Sequence, residues 1–111
     1  MELTQFQFEE LLTAMSQMSV WVSPEDGRLT KFECDGVAGR FDYYVTGEVD
    51  CHVVDDVDTR LGETYYDSHY VTDAVYIEDI FVDFDGVEVV LSDEQRKQLV
   101  NTIEDTMTVE Y

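Results

Sequence analysis

From Arg40 to Val54 the chain alternates with a period of two. Phe41, Tyr43, Val45, Val49, Cys51 and Val53 share one parity, and Arg40, Asp42, Tyr44, Thr46, Glu48, Asp50 and His52 share the other. Successive side chains of a β-strand point to opposite faces of a sheet. A repeat this long therefore predicts a strand with one face in a core and the other carrying carboxylates into solvent. Gly47 interrupts the apolar set and marks a bend, a bulge or a tight turn.

The flanking segments supply partners for that strand. Thr4 and Gln7 form a capping box, Leu3 can staple to Phe8, and Phe8, Leu11, Leu12, Met15 and Met18 recur at helical spacing, with Phe6 at the stripe's edge. A helix is expected to about Gln17. Ser19–Val22 is a short apolar run ended by the turn signal Ser23-Pro24-Glu25-Asp26-Gly27. Leu29–Cys34 then reads as a strand, and Asp35-Gly36 as a two-residue hairpin turn. That turn would pair Cys34 with Val37, Phe32 with Gly39 and Thr30 with Phe41, placing Phe32, Cys34, Val37 and Phe41 on the core face.

Asp55–His69 lacks periodicity and reads as a long loop, a type often functional or mobile. The strand pattern resumes at Tyr70, with Val75 and Ile77 on one parity and Ile80, Val82 and Phe84 on the other. A β-bulge at Glu78-Asp79 would produce that change of phase. Asp85-Gly86 signals a second hairpin, pairing Phe84 with Val87, Val82 with Val89 and Ile80 with Leu91 on the core face. Phe81 beside Val90 on the reverse face lies either under a helix or at a partner contact. Ser92 and Gln95 form a second capping box, and Leu99, Val100, Ile103 and Met107 stripe a helix from Asp93 to about Thr106. Thr108–Tyr111 is a frayed end or a short edge strand. The expected fold is one acidic α+β domain over residues 1–111, a mainly antiparallel sheet of about five strands with a helix from each end of the chain packed on it.

Chemistry is sparse. The two histidines, His52 and His69, have no nucleophile and orienting group in a recognisable arrangement, so no catalytic residue is assigned and no enzyme activity is expected. Asp55-Asp56-Val57-Asp58 and the acids around Asp85-Gly86 lack EF-hand spacing, and Cys/His clustering for a soft metal is missing, so neither a metal nor a cofactor is expected. Cys34 and Cys51 fit small buried hydrophobes of a reducing cytosol better than a disulfide. No apolar run approaches a membrane span, and no signal peptide is visible, so a cytoplasmic location is expected.

Charge is the dominant signal: 26 acids against six Lys and Arg, for a net −20. Direct binding of nucleic acid is excluded by sign, and no membrane partner is expected. From Phe41 to Glu94 there are sixteen acids and a single basic residue, Arg60. Carboxylates two apart on a strand, such as Glu48 and Asp50, stand about 6.6 Å apart, and two steps along a DNA strand advance about 6.8 Å.

In composition and layout the chain resembles the small, folded, strongly acidic phage proteins that inhibit restriction and CRISPR nucleases as DNA mimics. These proteins share no fold or motif, so the resemblance carries no residue roles. The segment from Asp85-Gly86 through Ser92-Asp93-Glu94-Gln95 and its helix also resembles many small phage proteins. The resemblance implies an inhibitor that docks on a basic nucleic-acid-binding protein or nuclease complex, in the cytoplasm of an infected bacterium if the chain is phage-encoded. Two other readings stand beside it: an immunity or antitoxin-like inhibitor of a basic enzyme, and an acidic domain adapted to high salt. The oligomeric state is open, a homodimer included. The expected contact surface comprises Asp42, Glu48, Asp50, Asp55, Asp56, Asp58, Glu63, Asp67, Glu78, Asp79, Asp83 and Glu88, with Tyr44, Tyr65, Tyr66 and Phe81 as aromatic anchors. Glu104 and Asp105 on the last helix are expected to be neutral controls.

Overall fold

The computed structural model describes residues 1–24, 29–60 and 62–111, and at 56, 58–60 and 63–67 it describes the backbone alone. The Ser23–Gly27 turn signal lies outside the described residues from position 25 onward. The fold is α+β. In chain order it runs α1 (Gln5–Met15), β1 (Ser19–Trp21), β2 (Thr30–Ala38), β3 (Phe41–Arg60), β4 (Glu63–Phe84), β5 (Val87–Glu88), α2 (Asp93–Thr106) and β6 (Thr108–Glu110). Strands β2-β3-β4-β5 form an antiparallel sheet, and β1 and β6 form a separate parallel pair.

Both helices begin at the expected capping boxes. Thr4 Oγ1 accepts from the Gln7 amide at 3.2 Å while the Thr4 amide donates to Gln7 Oε1 at 2.9 Å. Ser92 and Gln95 repeat the exchange at 3.2 and 3.0 Å. Each box satisfies two backbone groups that a helix end would otherwise expose. Phe8, Leu11 and Met15 from α1 and Leu99 and Ile103 from α2 are buried against Phe32, Phe41, Val45, Val49, Val75, Ile80 and Val82. The helices thus cover one face of the sheet, the face set by the odd-numbered parity of β3. The C-terminal tail is a strand: β6 runs beside β1, with Ser19 opposite Thr108 and Trp21 opposite Glu110.

The β-bulge falls where the change of phase predicts it. Thr46 faces Asp79 and Gly47 faces Ile77, leaving Glu78 as the extra residue. A second irregularity places Asp50 opposite Ala74 and Cys51 opposite Thr72, so Asp73 is also extra. At the first bulge the Ile77 amide donates to Glu104 Oε1 of α2 at 3.2 Å. Glu104 is therefore a structural carboxylate and a poor neutral control, unlike the exposed Asp105.

Three expectations are corrected. The first hairpin does not turn at Asp35-Gly36: β2 runs straight through, Ala38 pairs with Phe41, Cys34 with Val45 and Thr30 with Val49, and Gly39 has the positive φ of 62°. The expected and observed registers differ by an even number of residues, so Phe32, Cys34 and the odd-numbered side chains of β3 from Phe41 onward face the core in both, and their pattern cannot choose between them. Val37 flips with the correction and stands 72% exposed on the outer face. Second, Asp55–His69, apart from Leu61, which lies outside the described residues, is mostly strand: β3 and β4 stay paired through Asp55↔Ser68 to Arg60↔Glu63. Alternation is missing there because no described side chain of the ribbon, on either face, is buried. Third, Val87 is exposed, although Phe84↔Val87 and the Asp85-Gly86 turn form as expected, with φ of 51° and 81° as a type I′ turn requires. The amide of Val89 donates to the Val82 carbonyl at 2.9 Å, and both side chains are buried.

Candidate partner-binding surface

The face of the sheet opposite the helices is built from the other parity of each strand. Cross-strand register sorts it into rows. Asp42 stands opposite Asp83, and Asp83 opposite Glu88, so three carboxylates are adjacent across β3, β4 and β5. In the next row Asp35 faces Tyr44 and Tyr44 faces Phe81, with the two rings 6.2 Å apart. Then come Glu33, Thr46 and Asp79, and after them Lys31, Glu48 and Tyr76. None of these side chains is buried; Tyr44 is 37% exposed, Tyr76 50%, Phe81 59%. Acidic and aromatic rows thus succeed one another at the strand repeat of about 6.6 Å on a surface that no helix covers.

Directly opposed side chains in a sheet lie about 5 Å apart at Cβ, and like charges in that position destabilise the pairing. The Asp42–Asp83–Glu88 row forms no ion pair among the described residues. Nearby cations are engaged elsewhere: Arg96 Nη2 reaches Asp79 Oδ1 at 3.4 Å, and Arg40 pairs with Asp85 while its guanidinium lies 4.7 Å from the centroid of Phe84. His52 Nδ1 sits 2.8 Å from Oδ2 of the bulged Asp73. The Tyr44 phenol is pushed above its ordinary range by desolvation, then by a hydrogen bond to Glu33 and the charges of Glu33 and Asp35. It stays protonated, a donor among acceptors.

Of the residues expected at the contact surface, Asp42, Tyr44, Glu48, Asp50, Asp79, Phe81, Asp83 and Glu88 share this face. Phe81 lies under no helix among the described residues and is exposed. Glu78 is the exposed extra residue of the bulge. Asp55 has the opposite parity of β3 and accepts from Ser68 Oγ across the ribbon. Asp56 pairs with Asp67, Asp58 with Tyr65, Val57 with Tyr66 and Arg60 with Glu63 in the backbone register. The side chains of Asp56, Asp58, Glu63, Tyr65, Tyr66 and Asp67 lie outside the described residues. Sequence reasoning missed Tyr76, Val37, Glu33 and Asp35 on this face. Tyr76 was recoverable, because it takes the parity opposite Val75 and Ile77, and so was Glu33, which takes the parity opposite Phe32 and Cys34 in either register; Asp35 and Val37 were hidden by the misplaced turn.

A groove elsewhere, lined by Phe6, Thr13, Ala38, Arg40, Phe41 and Phe84, runs between α1 and the β2–β3 turn. No helix among the described residues is long and apolar enough to cross a membrane. Comparison with known protein families, with curated proteins and with solved structures finds no match for the chain. The functional reading therefore rests on the surface itself.

Proposed function

We propose that the chain is a binding module that docks its uncovered sheet face on a basic, nucleic-acid-binding surface of another protein and excludes the nucleic acid from it. One observation carries the reading: a row of carboxylates, Asp42–Asp83–Glu88, with no ion pair among the described residues, lies beside exposed Tyr44 and Phe81. Fixed on a sheet, the carboxylates need no ordering on binding, and the aromatic rings supply the contact energy that dispersed charges lack. The partner implied is a nuclease or other complex with a Lys- and Arg-rich nucleic-acid site, a host defence nuclease being the class that the phage-protein resemblance suggests.

Neutralising the row as D42N/D83N/E88Q tests this. Association with the basic partner should slow about tenfold at low salt and lose most of its salt dependence. Phe81→Ala should instead speed dissociation. A complex whose affinity is indifferent to salt and to all four changes would end the reading.

A further inference from the structure

The four-stranded sheet ends on β2 at one side and, at the other, on β4 with the short β5. The β4 side is closed off by several devices. Bulges at Glu78 and Asp73 break its regular spacing, Glu104 of α2 takes the Ile77 amide, and Val89 donates to Val82. Met1 holds the segment beyond: its ammonium donates to the Glu88 carbonyl at 2.7 Å, and its carbonyl accepts from the Val90 amide at 2.8 Å. Bulges and covering segments are how sheets keep their edges from pairing with other chains.

Strand β2 has none of these. It runs nine residues, Thr30–Ala38, without a proline and without a shift of register against β3. The two-residue Gly39-Arg40 turn makes Ala38–Phe41 a pair that exchanges hydrogen bonds, and at every second position Gly36–Tyr43, Cys34–Val45 and Phe32–Gly47 do the same. The N–H and C=O groups of Lys31, Glu33, Asp35 and Val37 therefore point away from β3. All four residues are exposed; among the described residues no strand pairs with this edge and no backbone hydrogen bond leaves it. Strand β1 touches β2 from the core side, where Cys34 Sγ lies 3.8 Å from the Ser19 carbonyl oxygen. What guards the edge is charge, Glu33 and Asp35 with Lys31, and an acidic guard admits strands of the opposite sign.

We infer that β2 is a docking edge that takes an extended, Lys- or Arg-bearing segment of the partner protein as an additional strand. Main-chain hydrogen bonds hold such a strand, and its alternate side chains give selectivity. This rests on the proposed function for the sign of the partner's charge, and adds the element by which the partner is held. On the outer face an added strand sets its side chains about 5 Å from Glu33 and Asp35, next to the rows Asp35–Tyr44–Phe81 and Glu33–Thr46–Asp79. The edge is thus continuous with the uncovered sheet face. Basic side chains are attracted there and acidic ones repelled. A second copy brings −20 against −20 in any register, and pairing about Cys34 would set Glu33 against Asp35 twice.

The probe is an end-capped peptide as long as β2, alternating Lys and Thr, beside the same peptide methylated on the backbone nitrogen of each lysine. The second keeps the charge and lacks the N–H groups that an added strand turns toward β2. At low salt the first should slow amide exchange at Glu33, Asp35 and Val37 about tenfold or more at saturation, and the second should bind about tenfold more weakly. Val37→Pro should weaken binding of the first peptide about fivefold relative to Val37→Ala, because proline removes an outward N–H, changes no charge and is tolerated on an edge strand. Equal binding of the two peptides with exchange at the edge unchanged overturns the docking edge and leaves the sheet face holding lysines by charge alone. Binding of neither also overturns the edge, and the sheet-face reading is then decided separately by D42N/D83N/E88Q on the basic partner. Self-association of the chain that Val37→Pro abolishes assigns the edge to a second copy and overturns the proposal. Should Val37→Pro not fold, the pair of peptides decides the question on the unaltered chain.

Discussion

A methyl group on Gly47 would stand 2.3 Å from the Tyr76 carbonyl oxygen and 2.8 and 2.9 Å from atoms of the buried Phe32 ring. The carbonyl belongs to a paired strand and cannot retreat. Gly47→Ala should therefore destabilise by about 3 kcal/mol in urea unfolding. Gly36 is the contrast. Its added Cβ would meet the Tyr43 hydroxyl at 2.5 Å, the far end of a side chain that can swing, so Gly36→Ala should cost about 1 kcal/mol or less. A similar cost for both would mean that Tyr43 is locked. Residue-level burial also sets an alkaline limit. Desolvation raises the Cys34 thiol above 9.0 and the Tyr43 phenol above 10.0, with the Asp35 charge adding to both and Cys34 adding to Tyr43. Both groups hold their protons more tightly folded than unfolded. Their contribution is complete below the unfolded values and is lost as pH rises through the folded ones. The melting temperature should fall between about pH 9 and 11, and less steeply in Tyr43→Phe; parallel falls in parent and variant would remove Tyr43 as a cause.

At the scale of elements, the acidic row opposes its own fold. Asp42↔Asp83 and Asp83↔Glu88 are like-charge pairs across the sheet, each destabilising by a few tenths to about 1 kcal/mol. D42N/D83N/E88Q should consequently gain about 1 kcal/mol of stability while losing partner affinity. Gain in one with loss in the other is the signature of charge retained for binding; a variant no more stable than the parent would show that solvent already screens the row. The same scale separates the two ends of β3. Its first half, through Val45 and Val49, is buried, and its second half has no buried described residue. Amide exchange at Val45 and Val49 should approach the global unfolding limit. Val53 and Val57 should exchange through local opening at least about a hundredfold faster, since a ribbon without a core opens on its own.

For the molecule as a whole, a net charge of −20 on 111 residues is self-repulsive. The radius of gyration, 17.8 Å, exceeds the roughly 13 Å of a compact chain of this length, because the ribbon carries part of that charge away from the rest. Salt distinguishes the origin of the acidity. A protein adapted to concentrated salt should gain about 20 °C or more in melting temperature between dilute buffer and molar KCl. A binding module selected for its charge should already be well folded near physiological ionic strength, where screening reaches about 8 Å. Thermal melts across that range decide between the two.

Local chemistry made much of this legible. Thr4/Gln7 and Ser92/Gln95 start helices because the capping groups lie three residues apart in sequence. The parity of Phe41–Val49, the extra residue Glu78 and the turn at Asp85-Gly86 were readable because alternation and turn type depend on neighbours along one chain. Eight of the residues expected at the contact surface share the outer face for that reason, since strand parity alone puts Asp42, Tyr44, Glu48 and Asp50 together. Tertiary structure decided the rest. Both candidate registers of the first hairpin bury the same face, and it took Phe32 against Gly47 and Tyr43 against Gly36, contacts across the sheet, to carry β2 past Asp35-Gly36 to Gly39-Arg40. The ribbon beyond Asp50 is held by backbone pairing between residues far apart in sequence, with no buried side chain among the described residues to imprint a pattern. The parallel join of β1 to β6 links opposite ends of the chain, a pairing that no local window contains.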